Sequence, residues 1–243
     1  MTYDFDTPID RSGTYSLKWE EAGDALPMWV ADMEFQTAPQ IRAALQQRLD
    51  HGIFGYSIVP PEWNQAYVNW WRRRHNLDID PESLVFCTGV VPAISSMVRK
   101  LTTANENVLI QTPVYNIFFN SIINNGCRVL ESPLKYDGSG HYSINWANLE
   151  SKLADPQTTL MILCNPHNPV GRIWDRDTLA RIGELCWNNH VTVISDEIHC
   201  DLTDPGYDYV PFASVNEQCA MNSVTCMAPT KTFNIAGLNT AAV

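Results

Sequence analysis

The sequence TLMILCNPHNPVG occupies positions 159–171 and joins an apolar run to a turn that contains two prolines and a glycine. Its first part, Thr159–Cys164, is typical of a buried β-strand because it is a continuous apolar run of strand length. The second part, Asn165–Gly171, predicts an irregular turn, since proline and glycine constrain or redirect the backbone there. Such a turn aims the amide of Asn168 at whatever binds beyond the end of the strand.

Further strand-like runs alternate with helical patterns along the chain. The other predicted strands are Val108–Ile110, Cys127–Leu130, Val191–Ser195 and Ser223–Met227. The predicted helices are Pro39–Asp50 with Thr37 as a candidate cap, Pro60–His75, Pro92–Leu101, Val114–Asn124, Trp146–Leu153 and Asp175–Asn189. Apolar strands between helices are typical of a mostly parallel sheet that is covered on both faces. The sequence therefore predicts an α/β fold of three layers, helix on sheet on helix.

Composition argues against several classes of function. The 243 residues are 45% hydrophobic and 18% charged, as in ordinary soluble proteins, and the net charge of −11 does not suit a nucleic-acid surface. No apolar run approaches the roughly 18–20 residues of a membrane span, so we expect no membrane insertion. The seven cysteines are odd in number, form no CxxC pair and fall partly in apolar runs. This pattern favours buried, reduced thiols and a cytoplasmic location.

Polar residues follow three of the predicted strands. Asn168 follows Thr159–Cys164, Asp196 follows Val191–Ser195, and Lys231 lies shortly after the last strand. The carboxyl ends of parallel strands meet at one edge, where ligands bind in such sheets, so we expect these side chains to converge. Each alone is more often a turn residue, a helix cap or a solvated lysine. Together, an amide, a carboxylate and an amine suit pyridoxal 5′-phosphate (PLP), whose protein signature is a Lys Schiff base with an Asp on the pyridinium nitrogen.

The motifs around these residues resemble those of a known family. The sequences NPHNPVG of Asn165–Gly171, SDEIH of Ser195–His199 and APTKTFNIAGL of Ala228–Leu238 are similar to fold-type I PLP enzymes of the aminotransferase class I/II superfamily. The sequences MWVADMEF of Met28–Phe35 and HGIFGYS of His51–Ser57 resemble its MalY/PatB branch of cystathionine β-lyase-like C–S lyases. The resemblance implies the large domain of a PLP-dependent transferase-like fold.

The resemblance also implies a role for each candidate site residue. Lys231 would bond the cofactor and act as catalytic base, Asp196 would keep the ring nitrogen protonated, and Asn168 would bond the ring 3′-oxygen. The remaining implied cofactor contacts are Tyr115 on the ring face, His199 near the 3′-oxygen, the backbone of Gly89, Val90 and Val91 around the phosphate, the hydroxyl of Thr230, and Tyr56 reaching the phosphate of the other subunit. The role of Tyr56 implies a homodimer.

The implied activity is cleavage of the C–S bond of cystathionine or a cysteine S-conjugate to a thiol, pyruvate and ammonia. The same residues serve transamination, so a PLP-dependent aminotransferase stays open, as does an inactive truncated remnant that binds cofactor or a protein partner. A metal site made of His167, His199, Cys200 and Asp196 is a further alternative. The HExxH and CxxC spacings typical of zinc sites are missing, so we expect no metal.

The resemblance implies a division of the chain as well. Residues 1–55 would form an N-terminal segment that contributes to the substrate site and to dimer contact, and residues 56–243 would form the PLP-binding large domain. Family members continue beyond the length of this chain. The small C-terminal domain, and the Arg that binds the substrate carboxylate, are therefore expected to be absent from it.

Overall fold

The computed structural model describes residues 3–243, which fall into two compact units. Unit 1 comprises the residues up to Ile58 together with Pro229–Asn239, and unit 2 comprises Val59–Ala228 together with Thr240–Val243. Met1 and Thr2, which belong to the predicted N-terminal segment, lie outside the described residues. Within residues 3–243, no helix combines the length and the apolar character that crossing a membrane requires.

The strands all belong to unit 2. In chain order they are β1 (Phe86–Cys87), β2 (Asn107–Ile110), β3 (Arg128–Glu131), β4 (Lys135–Tyr136), β5 (Tyr142–Ser143), β6 (Thr158–Cys164), β7 (Thr192–Asp196), β8 (Ser223–Cys226) and β9 (Ala241–Ala242). Five of them form a parallel sheet in the order β3-β2-β6-β7-β8. Strand β9 pairs antiparallel with β1, and a bridge between Met227 and Ala242 connects it to the end of β8. The predicted, mostly parallel sheet is thus confirmed.

Helices flank the strands along the chain. They are α1 (Leu17–Glu20), α2 (Pro39–His51), α3 (Pro61–His75), α4 (Val90–Leu101), α5 (Ile117–Ile123), α6 (Trp146–Leu153), α7 (Arg176–Asn188), α8 (Glu217–Met221) and α9 (Pro229–Thr232). Helices α1, α2 and α9 belong to unit 1, and the others belong to unit 2.

Alternate residues of the central strands pack on opposite faces of the sheet, as the two-residue period of a strand requires. On one face, Ile162 and Ile194 pack with residues of α4 and α5 in one buried cluster. On the other face, Met161 and Val193 pack with residues of α6, α7 and α8 in a second cluster. Both clusters are fully enclosed between helices and sheet, which confirms the three-layer prediction for unit 2.

Helix α2 differs from its prediction in two respects. Its N-cap is Ala38, which makes no side-chain cap bond, so the prediction of Thr37 as cap was wrong. None of its residues is buried, and Leu45 and Leu49 of its apolar stripe are 40% and 59% exposed. These leucines therefore face solvent in the described chain.

Candidate functional site

Asp196 is the last residue of β7 and lies between two thiols. Parallel register pairs it with Cys164 at the end of β6 and with Cys226 at the end of β8, so all three side chains lie on the same face of the sheet. Asp196 is 5% exposed, and its Oδ1 accepts the N–H of Ile198 at 3.2 Å. A carboxylate that is buried beside weakly polar thiols favours a cationic partner, because burial of a charge is costly unless it is paired.

Hydrogen bonds within the turn after β6 hold Asn168 at the strand end. The N–H of Asn168 donates to the Sγ of Cys164 at 3.3 Å. The N–H of Gly171 donates to the carbonyl of His167 at 2.9 Å, and the N–H of His167 donates to the carbonyl of Arg172 at 2.7 Å. Gly171 has a φ of 68°, a left-handed conformation that glycine adopts without strain. The turn predicted from the prolines and the glycine is therefore an ordered support for Asn168.

Tyr115 lies in the loop between β2 and α5, where it is half-buried. Its ring packs edge-on against Phe118, with the ring centroids 5.8 Å apart. Burial, and then the negative charge of Asp196, raise the pKa of the Tyr115 hydroxyl. Tyr115 therefore lies within electrostatic reach of the Asp196 carboxylate.

Helix α4 begins on the same side of the sheet as these residues. Its N-cap, Gly89, has extended backbone with a φ of 169°. Val90 is buried in the cluster that also contains Cys164 and Cys226, and Val91 is half-buried. The first N–H groups of a helix have no partner within the helix, so this helix start favours an anion.

Lys231 belongs to α9 in unit 1, where it is half-buried. It lines a cavity of about 730 Å³ whose wall also includes, from the same unit, Arg11, Lys18, Asp32, Glu34 and Asn234. Thr230 is 8% exposed, and its carbonyl accepts the N–H of Ile235 at 3.0 Å. Tyr56 is fully exposed.

A charged network in the wall of this cavity was not predicted from the sequence. Lys18 Nζ donates to Glu34 Oε1 at 2.7 Å and to the carbonyl of Asp32 at 2.9 Å. Arg11 donates to Asp32 Oδ2 at 2.7 Å and to Glu34 Oε2 at 3.3 Å. Burial would raise the pKa of Glu34, but hydrogen bonds from Lys18, Trp19 and Arg11 together lower it. The available signal was the pair of acids Asp32 and Glu34, two positions apart in an otherwise apolar motif.

Glu197 is a second group that sequence analysis missed. It follows Asp196, is fully buried, and accepts hydrogen bonds from Ser195 Oγ at 2.7 Å, from the N–H of Phe212 at 2.9 Å and from the hydroxyl of Tyr209. Burial raises the pKa of Glu197 to about 7, although these hydrogen bonds oppose the rise. The hydrogen bonds of Glu197 therefore hold the segment after β7 in place. Its neighbour Asp196 ends the strand beside the thiols.

The cysteines match their prediction, whereas the residues close enough to share a metal ion are not the predicted set. All seven cysteines are free and six are buried, which confirms the prediction of reduced, buried thiols. Within residues 3–243, one group of His, Cys and acidic side chains is close enough to share a metal ion, namely His75, Cys200 and Asp201. It has only Cys200 in common with the set that the sequence suggested. Asp201 already accepts a hydrogen bond from Trp70 Nε1 at 3.0 Å and lies 2.9 Å from His75 Nε2.

The ten predicted site residues divide between the two units. Unit 2 contains Gly89, Val90, Val91, Tyr115, Asn168, Asp196 and His199. Unit 1 contains Tyr56, Thr230 and Lys231. His199 is half-buried, and its carbonyl accepts the N–H of Leu202 at 3.0 Å in the turn after β7. Unit 2 offers an acid for a ring cation, an amide for a ring oxygen and helix N–H groups for a phosphate, and unit 1 offers an amine for a carbonyl carbon.

Comparison with curated proteins finds relatives along nearly the whole chain. Cystathionine beta-lyase PatB of Bacillus subtilis (strain 168) is 48% identical over 245 residues, which covers 98% of this chain and 63% of that relative. The chain therefore spans about 63% of the length of this curated relative.

Solved structures of other proteins are similar to this chain in both fold and sequence. Cystalysin from Treponema denticola, whose crystal structure contains a pyridoxal 5′-phosphate cofactor, has a TM-score of 0.94 and 38% identity, covering 100% of this chain and 63% of that chain. The PLP-bound C–S lyase from Staphylococcus hominis has a TM-score of 0.92 and 34% identity, with coverage of 100% and 63%. The resemblance predicted from the motifs is confirmed. Residues 27–243 match the family model described as aminotransferase class I and II, and the chain belongs to that family.

Proposed function

We propose that this chain is the cofactor-binding part of a PLP-dependent C–S β-lyase. Such an enzyme would cleave cystathionine or a cysteine S-conjugate to a thiol, pyruvate and ammonia. The observation that carries the proposal is Lys231 in the wall of a cavity, within a chain that is 48% identical to a relative named cystathionine beta-lyase. The relatives described as C–S lyases support this reaction over transamination.

The residues of unit 2 suit PLP. The buried carboxylate of Asp196, flanked by Cys164 and Cys226, favours a protonated ring nitrogen over a neutral one. The start of α4 offers N–H groups to a phosphate, and Gly89 places no side chain in front of them. A Cβ atom at Gly89 would lie 3.2 Å from the Cδ of the Pro92 ring, a tight contact that glycine avoids.

Two residues carry the proposed chemistry. Lys231 would bond the cofactor through its amine and, when free, take the proton from Cα of the substrate as general base. Asp196 would hold the proton on the ring nitrogen. Bound PLP supplies the electron sink that makes the Cα proton acidic.

The other predicted residues would bind and orient the cofactor. The amide of Asn168 would donate to the ring 3′-oxygen with His199 nearby, and Tyr115 would cover one ring face. The backbone of Gly89, Val90 and Val91 and the hydroxyl of Thr230 would bind the phosphate. Tyr56 would reach the phosphate of a second subunit.

We also propose that the enzyme is a cytoplasmic homodimer. Large apolar side chains of α2 and the segment after it are exposed, namely Leu45, Leu49, Ile53, Phe54, Tyr56 and Ile58. An exposed apolar patch of this kind is typical of a contact with another protein. The seven free cysteines suit a reducing compartment. The mass in solution, measured by light scattering, tests the dimer.

The function is tested by incubating the purified chain with PLP and cystathionine and measuring pyruvate, free thiol and visible absorbance. We expect a yellow protein that releases pyruvate and thiol in equal amounts, and Lys231→Ala should do neither. Keto acid without free thiol would favour the aminotransferase. Colourless protein that PLP does not turn yellow would favour the remnant, and pyruvate release by Lys231→Ala at the parental rate would remove Lys231 from the mechanism.

A further inference from the structure

Asn234 lies three residues after Lys231 and ends the same helix. Its φ is 53°, a left-handed conformation that asparagine tolerates better than other residues with a Cβ atom. The N–H of Ile235 donates to the carbonyl of Thr230 at 3.0 Å, which closes α9 in the way that a left-handed residue after a helix allows. The backbone of Asn234 therefore fixes the end of the helix that carries Lys231.

The side chain of Asn234 makes a second set of contacts, across the unit. Its Oδ1 accepts the N–H of Met33 at 2.9 Å, and its Nδ2 donates to the carbonyls of Met33 at 3.0 Å and Phe35 at 2.8 Å. One amide thus binds both backbone groups of Met33, as a neighbouring β-strand would. These three bonds join residues about 200 positions apart in the sequence.

The segment held in this way is part of the cavity wall. Asp32, Met33, Glu34 and Phe35 line the same cavity as Lys231 and Asn234. Arg11 and Lys18 hold the acids of this segment, and the amide of Asn234 ties its backbone at Met33 and Phe35 to the end of α9. Asn234 lies within the motif Ala228–Leu238 that carries the resemblance, but it was not among the predicted site residues.

We infer that Asn234 is a positioning residue, which holds the backbone of Met33 and Phe35 beside Lys231 and so limits access to the lysine amine. The inference rests on the proposed function only in treating Lys231 as the cofactor lysine. No other residue type combines tolerance of the left-handed backbone with an amide of this length that both donates and accepts. Aspartate lacks the donor for the two carbonyls, glutamine is longer by a methylene, and glycine keeps the left-handed turn but has no amide.

The test uses the full chain without cofactor and compares three variants. Asn234→Gly keeps the backbone conformation and removes the three side-chain bonds. Asn234→Asp keeps the size of the side chain and removes its donor. Asn239→Gly is the matched control, because Asn239 also has a left-handed φ of 49° in unit 1, but its side chain makes only a 3.5 Å contact with the carbonyl of Gly237.

Two measurements report on the segment without requiring PLP or activity. Hydrogen exchange follows peptides that contain Met33 and Phe35, and the rate of Lys231 acetylation by dilute acetic anhydride follows the amine. In Asn234→Gly and Asn234→Asp we expect both rates to rise about tenfold or more, since a segment that loses its hydrogen bonds opens locally. Asn239→Gly should match the parent.

Folded Asn234→Gly and Asn234→Asp proteins with parental exchange and acetylation rates would overturn the inference. An equal rise of the exchange and acetylation rates in Asn239→Gly would also overturn the inference. The rise would then follow from the loss of any asparagine in this unit and not from the contacts of Asn234. Failure of PLP to bond Lys231 would instead refute the proposed function and leave these two rates interpretable. With cystathionine as substrate, we expect Asn234→Gly to raise KM more than it lowers kcat.

Discussion

A Cβ atom placed on Gly183 of α7 would overlap the Sγ of Cys219 in α8, far inside a normal contact. Both residues are buried, so neither helix can move away freely. We expect Gly183→Ala to lower the free energy of unfolding by about 1–3 kcal/mol, because overpacking forces side chains and backbone to shift. Urea denaturation followed by circular dichroism measures the change.

The matched control for this contact is the double variant Gly183→Ala with Cys219→Ala. Removing the Sγ leaves Cβ of residue 219 at 3.8 Å from the new Cβ atom, an ordinary contact. The double variant should therefore be more stable than Gly183→Ala alone. If the changes in unfolding free energy caused by Gly183→Ala and by Cys219→Ala simply add in the double variant, the steric contact between these helices does not cause the loss of stability.

The buried carboxylate of Asp201 should contribute far more to stability than an exposed ion pair. Its side chain is 6% exposed, it accepts from Trp70 Nε1, and it lies 2.9 Å from His75 Nε2 and 3.7 Å from Arg74 Nε. Asp201→Asn leaves these donors with one acceptor oxygen, and we expect a loss of about 2–4 kcal/mol in the free energy of unfolding.

The comparison is Asp78→Asn, which breaks the ion pair of Asp78 with Arg72 on the surface of the same unit. The Asp78 side chain is 79% exposed, so we expect a change within about 0.5 kcal/mol. Equal losses in the two variants, measured by chemical denaturation, would contradict the distinction between buried and exposed pairs.

The pKa of Glu197 predicts a pH dependence of stability. Burial raises this pKa to about 7 from an ordinary value of 4.5, so the folded protein keeps a proton here that the unfolded chain has released. Stability from this group is fully present below pH 4.5 and is lost as the pH rises through about 7. Glu197→Gln carries no such proton and should remove this dependence.

The measurement is the free energy of unfolding of parent and Glu197→Gln at about pH 5 and about pH 8. The parent should lose up to a few kcal/mol relative to the variant across this range, at about 1.4 kcal/mol for each unit of pKa shift. A parent and variant with parallel pH profiles would show that Glu197 does not change its proton affinity on folding.

Cys164 is expected to matter for cofactor binding as well as for packing. Cys164→Ala removes the Sγ that accepts the N–H of Asn168 at 3.3 Å, so the turn should loosen and the affinity for PLP should fall about threefold to tenfold. Cys186→Ala is the control, because Cys186 is equally buried but its Sγ lies 3.8 Å from Met161 Sδ on the opposite face.

Both cysteine variants should lose about 1–2 kcal/mol of stability, since each leaves a small cavity in a packed core. PLP affinity is measured from the visible absorbance of the bound cofactor. A weaker affinity in Cys186→Ala than in Cys164→Ala would count against the role of the Cys164 thiol in holding Asn168.

The sequence predicted the long elements well and the short ones poorly. Strand β6 and helix α6 have almost the predicted bounds, because a continuous apolar run and an amphipathic repeat are strong local signals. Strands β1 and β9 have two residues each and were not predicted, since two residues carry no period. Helix α9 was missed for the same reason, as it has four residues directly after a strand.

The candidate site was predictable to a similar extent. Asn168, Asp196 and Lys231 were each expected after a predicted strand, and their residue types suggested one ligand; in the structure Asp196 is the last residue of its strand. The support for those residues was not predictable, because Cys164 beside Asp196 depends on sheet register and the contacts of Asn234 depend on a segment about 200 residues away. Local sequence contains neither kind of information.

The bridge between Met227 and Ala242 has a consequence for the segment that carries Lys231. Their backbone N–H groups donate to each other's carbonyls at 2.9 Å and 2.8 Å, so the chain leaves the sheet after Ala228 and returns to it with both ends tied. Closing so short an excursion costs little entropy, so we expect it to order and open as a local unit, separately from the sheet. We therefore expect exposed substitutions at positions 229–239 to change the surroundings of Lys231 while the midpoint of thermal denaturation stays nearly constant.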